Sequence, residues 1–391
     1  MTLDSLHGRV LDVCSFEQAP PATFADTYGE RGKRFFEANA EVFGAFASAF
    51  VVPDDVPTEL TPEVVWTAKG LAAPTAAELE RRVEVLDVMG IRRQLVFPGA
   101  LLIALPQAVG GTIVSGPSTV EQLRASREFI DAHNEWAGEL TRRHGDRLLI
   151  AGALVAHDVD PDQLIKQAEQ VLSLGVKALL IPSRKPPAGV GPGDPALDPF
   201  YALLAQADVP LLLRGGLTAG FRASEVWGAA DTSVWGNGTS VARYTDYVTT
   251  VHHAEENFVN AMVYGGVFER HPTLRLGIFK VGAAWVGPLA ERMDRGLPPF
   301  IVPNHLPMKP SEYLARNVRV SPFADAADSF EPVQEWLERY PALHDVYCYS
   351  SDFPLIEGGQ WSLKRWHERI APLGGDVVRK FFIDNASLIL P

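Results

Sequence analysis

The sequence predicts an α/β fold, a closed (β/α)8 barrel of the TIM type with long insertions at its C-terminal face, formed as one domain over residues 1–391. Three observations predict it. Short β-rich runs alternate with helical patterns along the chain, which implies a parallel sheet with helical crossovers. The runs number eight: RVLDV (9–13), RRQLVF (92–97), RLLIAG (147–152), VKALLI (176–181), VPLLLR (209–214), LRLGIFK (274–280), NVRVS (317–321) and DVYCYS (345–350). Most are apolar at successive positions, as strands covered on both faces must be. An open doubly wound sheet is the alternative. Its phosphate turn, G-x-G-x-x-G after the first strand, is absent, and VGPGD at 190–194 is a proline-containing loop.

The first run continues as RVLDVCSFE (9–17), a buried strand ending on polar residues. Residues 16–75 form an insertion with little strand signal and many aromatics. TAAELERRVEVLDVMG (75–90) reads as a helix opened by a Thr cap and closed by glycine. Residues 98–117 are an apolar, glycine-rich insertion, and residues 118–145 a longer helix with a Ser cap and a final glycine. DPDQLIKQAEQVLSLG (160–175), DPFYALLAQA (198–207) and AAWVGPLAERMDR (283–295) are further helical patterns, and 215–250 is a third insertion containing GGLTAGF and WGNGTS. All three insertions follow strands, so they crown the C-terminal face, where long loops form lids and pocket walls.

Composition narrows the partners. A chain that is 47% hydrophobic and 21% charged is a soluble globular one, and VKALLIP and VPLLL are too short to span a bilayer. MTLDSLHGRVLD lacks the basic start and apolar core of a signal peptide. Two cysteines make no disulfide framework, so a reducing cytoplasm is expected. Net charge −13 argues against nucleic acid and anionic membranes as partners. The net charge says little about a small-molecule substrate, the partner expected here, because local charge in a pocket can oppose the global sign.

Active groups in such a barrel sit at the C-terminal ends of the strands. The candidates are Cys14 and Phe16 after the first strand, Arg184 and Lys185 after the fourth, Arg214 at the fifth, Lys280 at the sixth, Ser321 after the seventh and Asp352 after the eighth. Cations in an apolar barrel mouth need partners. Asp352 neutralises Arg214 or Lys280, or an anionic ligand does. A lysine there can have a lowered pKa and act as base or nucleophile. An arginine stays charged and clamps a carboxylate or phosphate. The plainer reading is a structural ion pair that fills space. Cys14 near the two cations is a nucleophile if its thiol is acidified, and otherwise a small buried hydrophobe. Cys348 lies inside the eighth strand as core. Among the ten histidines, His157 follows the third strand near the mouth, His252-His253 belongs to a helix face or cap, and His305 sits in a PNHLP loop.

Three blocks carry a resemblance: GGVFERHPTLRLGIFKVGAAWVGPLAERMDR (265–295), YCYSSDFPLIEGG (347–359) and DPALDPFYALLAQADVPLLLRGG (194–216). Together they resemble the amidohydrolase superfamily, in the branch containing the metal-dependent decarboxylases of aminocarboxymuconate semialdehyde and dihydroxybenzoates. The resemblance runs through most of the chain. It implies a metal held by D/E-x-H after the first strand, a His after the fifth, often a second His after the sixth, and an Asp after the eighth. Here those positions fall on Cys14-Ser15-Phe16, Arg214 and Lys280, and only Asp352 is kept. Phenylalanine binds no metal, and cations at two ligand positions repel one. No cofactor is therefore expected.

The function expected is that of a metal-independent enzyme of this fold. Its substrate is a small anionic or carbonyl-bearing molecule with a hydrophobic or aromatic skeleton. The chemistry is lyase, cyclisation or isomerisation, with Asp352, Lys280, Arg214 and Cys14 catalytic, and Phe16, Arg184, His157 and Ser321 in substrate binding. Fixed cations stabilise a developing oxyanion where a metal once did. The alternatives are a metal-dependent hydrolase or decarboxylase with displaced ligands, and a non-catalytic ligand-binding protein. The resemblance also implies a homodimer.

Overall fold

The eighth run decides whether the sheet closes. The computed structural model describes residues 1–45, 51–53, 56–110, 117–183, 185–215, 251–296, 306–323 and 332–390. Arg184, His305 and residues 216–250 of the third insertion lie outside them. The strands are β1 (Val10–Glu17), β2 (Ile91–Pro98), β3 (Leu148–Ile150), β4 (Gly152–Ala153), β5 (Leu179–Leu180), β6 (Leu211–Arg214), β7 (Leu276–Phe279) and β8 (Val318–Val320). Every ladder is parallel, in the orders β1-β2-β3 and β4-β5-β6-β7-β8. β3 and β4 are one course of chain: Ala151 N–H still bonds Val96 O at 3.0 Å, and Gly152 N–H bonds Ala178 O at 3.0 Å.

The eighth run makes only a bridge at Tyr347, yet it joins the two ends. On one side Val320 N–H bonds Val346 O at 3.0 Å and Cys348 N–H bonds Val320 O at 2.9 Å. On the other, Val13 N–H bonds Tyr349 O at 3.2 Å and Asp352 N–H bonds Cys14 O at 3.0 Å. These bonds close the barrel.

Side-chain alternation separates inside from outside. Val96, Ile150, Leu211, Leu213, Leu276, Ile278, Val318 and Val320 belong to the core that joins strands to helices. Leu95, Phe97, Leu149, Ala151, Leu180, Leu212, Phe279 and Cys348 belong to a second core inside the ring. Arg214 and Ser321 are in phase with the interior set.

The helices sharpen the expected boundaries. Thr75 is no cap, since its φ is +58° and the α-helix spans Arg82–Met89. Gly90 ends that helix in the left-handed conformation, as expected. Thr119, not Ser118, caps Val120–His144, because its Oγ1 accepts from Gln122 N–H at 3.1 Å while Gln122 Oε1 accepts from Thr119 N–H at 2.9 Å. Asp160 caps Pro161–Ser173 in the same reciprocal way. The first insertion carries the helix Phe24–Ala38, broken at Gly29, and the second carries Leu101–Gln107. Among the described residues, no helix is long and apolar enough to cross a membrane.

Candidate functional site

β1 does not stop at Val13 but runs through Cys14 and Phe16 to Glu17. Its pairing with β2 passes from Asp12–Gln94 to Ser15–Val96, so β1 holds one extra residue there. This bulge changes which side chains face inward. Asp12 faces outward with Gln94, and strict alternation would send Phe16 the same way. The extra residue turns Phe16 into the ring, opposite Phe97.

Phe16 lies beneath two cations. Arg214 Cζ sits 4.5 Å from its centroid and Lys280 Nζ 5.4 Å. Arg214 comes inward by parity. Lys280 does not, because it follows the inward Phe279. Its left-handed backbone, φ +65°, ends β7 and re-aims the side chain into the mouth. There Nζ donates to Asp352 Oδ2 at 3.2 Å, and Asp352 itself has φ +49°. Two glycines make room for this backbone. A Cβ on Gly215 would stand 1.8 Å from Lys280 O, and one on Gly358 would stand 2.6 Å from Ser351 O.

Electrostatics correct one expectation. Burial would lower the Lys280 ammonium, but Asp352, Glu357 and Cys14 outweigh it and hold it above the ordinary lysine value. This direction is opposite to the lowered pKa that a lysine base or nucleophile would need. Burial lowers the Arg214 guanidinium, to about 10, and leaves it charged at neutral pH. The Cys14 thiol moves opposite to the acidified case: burial first, then Asp352, push it well above its usual value despite the cations. A neutral thiol is a poor nucleophile.

The other candidates scatter. His157 Nε2 meets Lys185 O at 2.9 Å, and its electrostatic partners are Lys185, Asp158 and Pro182 rather than the Lys280–Asp352 pair. Ser321 is buried at the mouth, with no hydrogen-bond partner for Oγ among the described residues. His252 stands at the start of helix His253–Tyr264 and stacks on Trp285.

A buried network behind β1 holds the site and was not anticipated. Asp12 accepts from Ser351 N–H at 2.9 Å, Ser351 Oγ at 2.5 Å and Gln94 Nε2 at 2.7 Å. Arg82 donates to Gln94 Oε1 at 3.2 Å and to Phe16 O at 3.0 Å. The network therefore fixes Phe16 and the residue preceding Asp352. Burial raises the Asp12 carboxyl to about 6. The one sequence signal was an acid inside an apolar strand.

Glu255 is a second buried acid. Ser183 Oγ donates to its Oε1 at 2.6 Å, and burial raises its carboxyl to about 7. A carboxyl raised in the folded state contributes stability below its unfolded pKa and loses it as pH rises through the folded value. Glu255→Gln removes that loss. The variant is expected to gain on wild type between about pH 4.5 and 8, by roughly 2–3 kcal/mol at the upper end. Urea unfolding across that range is the check, and a difference that does not change with pH would contradict it.

The donor set does not fit a divalent ion. Phe16 offers no ligand atom, Arg214 and Lys280 are cations, and Lys280 already holds Asp352. Among the described residues, no group of three or more His, Cys, Asp or Glu side chains stands where it could hold a metal.

Comparisons with known proteins agree with this fold. A family model described as amidohydrolase matches residues 108–391. An amidohydrolase from Mycobacterium avium subsp. paratuberculosis is 21% identical, with a TM-score of 0.67 and 98% of each chain covered. A 5-carboxyvanillate decarboxylase from Novosphingobium aromaticivorans, complexed with manganese and 4-hydroxy-3-methoxy-5-nitrobenzoic acid, is 16% identical, with a TM-score of 0.60 over 100% of this chain and 99% of that one. A 2,6-dihydroxybenzoate decarboxylase from Rhizobium is 16% identical, with a TM-score of 0.56 and 98% of each chain covered. At these identities the structural likeness establishes the fold alone. No curated protein matches the chain.

Proposed function

Because the chain belongs to the amidohydrolase family, we propose that it is an enzyme of that barrel in which fixed side-chain charges replace the divalent metal. Its reaction is lyase, cyclisation or isomerisation chemistry on a small carbonyl-bearing anion. One observation carries the reading: Lys280 Nζ stands 3.2 Å from Asp352 Oδ2 at the barrel mouth, over the same Phe16 ring as Arg214. An aromatic skeleton is supported by the names of two similar structures, decarboxylases of 5-carboxyvanillate and 2,6-dihydroxybenzoate.

The division of labour follows from the charges. Asp352 takes a proton from the carbon beside the substrate carbonyl. Lys280, held protonated, donates to the carbonyl oxygen as negative charge gathers there. Returning the proton to a different carbon isomerises the substrate, and expelling a group from the neighbouring carbon completes a lyase reaction. Phe16, Phe97 and Phe279 keep the site apolar, which strengthens both contacts. Neither step needs a metal-activated hydroxide.

The test is turnover of aromatic and oxo-carboxylic acids by protein stripped with EDTA and desalted. Undiminished product formation supports the reading. Activity that appears only after manganese is returned sinks it.

A further inference from the structure

We propose that Arg214 is the seat of a substrate carboxylate that the reaction leaves intact, while the Lys280–Asp352 pair works on a second, oxygen-bearing part of the same planar molecule. This rests on the metal-free reading above.

Arg214 is 2% exposed, and Phe16 and Phe97 lie 4.5 and 5.8 Å from its Cζ. Ring contacts of this kind satisfy a cation's charge but use none of its N–H groups. Nε and Nη1 have no hydrogen-bond partner among the described residues. The two atoms lie on different edges of the planar fork, so each edge presents an uncommitted donor. A buried charged donor left unmade costs more than the ~1–3 kcal/mol of a neutral one. A carboxylate fits such a fork with two parallel bonds.

The charges point the same way. Two carboxylates act on the two cations of the mouth: Asp352, which is bonded to Lys280, and the exposed Glu357, which reaches both cations through space and forms an ion pair with neither among the described residues. No carboxylate of a described residue makes an ion pair with Arg214. A bound carboxylate would give Arg214 the direct partner that neither acid provides. Both cations lie over one Phe16 ring, so they are no farther apart than the two ring distances together. One small molecule can therefore touch both. Phe97, Phe279 and Phe323 add further ring surface around them, which suits a conjugated skeleton. A fixed guanidinium stabilises the negative charge of a carboxylate, which loss of CO2 would carry away from it, so a carboxylate seated there is held rather than expelled.

Calorimetry with benzoate as probe tests this, with benzamide as the neutral control and every titration run with and without EDTA. Benzoate is expected to bind wild type one to one and benzamide to fail. Arg214→Met should weaken benzoate at least about tenfold. Arg214→Lys keeps the charge but loses the planar fork, so it should weaken benzoate too, and it serves if the Met variant does not fold. The neutral double variant Lys280→Met/Asp352→Asn should keep affinity within about threefold, because it removes an ion pair of no net charge and leaves the Arg214 donors in place. Three results would overturn the seat: wild type that ignores benzoate, Arg214 variants that bind as well as wild type, or binding lost in the double variant. Binding that EDTA abolishes and manganese restores would instead overturn the metal-free reading.

Discussion

Lys280→Met/Asp352→Asn is expected to lose turnover by about 10²–10⁴-fold, the contribution usual for positioned acid–base groups, while its melting temperature stays near wild type. The two charges are removed together for a reason. Lys280 is almost wholly buried against Asp352, whose side chain is 2% exposed. Either single change breaks a buried ion pair and keeps one of its two charges, at about 3–5 kcal/mol. The double change removes both charges together, so loss of activity and loss of fold come apart. Calorimetric melting and turnover on a substrate found among the carboxylic acids are the two readouts. Full turnover in the double variant would reduce the pair to a structural contact. An unfolded double variant would assign the pair to stability.

Gly215→Ala is expected to cost about 3–5 kcal/mol, at the high end for one substitution, or to prevent folding. The added Cβ would meet Lys280 O at 1.8 Å and Lys280 C at 2.6 Å, both backbone atoms. Neither side can yield easily. Gly215 N–H is bonded to Phe279 O at 2.9 Å, and β6 and β7 are laddered from Leu211–Leu276 to Arg214–Phe279. Relief must separate the backbones of Gly215 and Lys280, the residue that carries the contact to Asp352. Gly191, with nothing within 4 Å of its added Cβ, is the control, and its alanine variant should stay within about 0.5 kcal/mol of wild type. Urea midpoints compare the two. Equal midpoints would contradict the close approach of Gly215 to Lys280.

Much of the barrel was legible because strand-like runs betray themselves locally. All eight marked runs contribute to the ring, and the strand-end rule picked out Phe16, Arg214, Lys280 and Asp352, which the fold does assemble. What the sequence hid depends on distant chain. The bulge in β1 that turns Phe16 inward exists only in its pairing with β2. The left-handed turn at Lys280 opposes the parity that a strand pattern implies. The links of the Arg82–Gln94–Asp12–Ser351 network span 12, 82 and 339 residues, so no local window contains it. Thr119 displaced Ser118 as a cap because the reciprocal bond with Gln122 needs that spacing. His157 sat at a strand end as the rule requires, but a backbone carbonyl took its ring nitrogen.

Whether fixed charges occupy the place of a metal is decided by the metal content of protein purified without chelator, measured by inductively coupled plasma mass spectrometry alongside protein concentration. Every transition metal is expected far below one equivalent, in protein whose turnover or benzoate binding is unchanged by EDTA. One equivalent of manganese or zinc that EDTA removes together with that activity would contradict it.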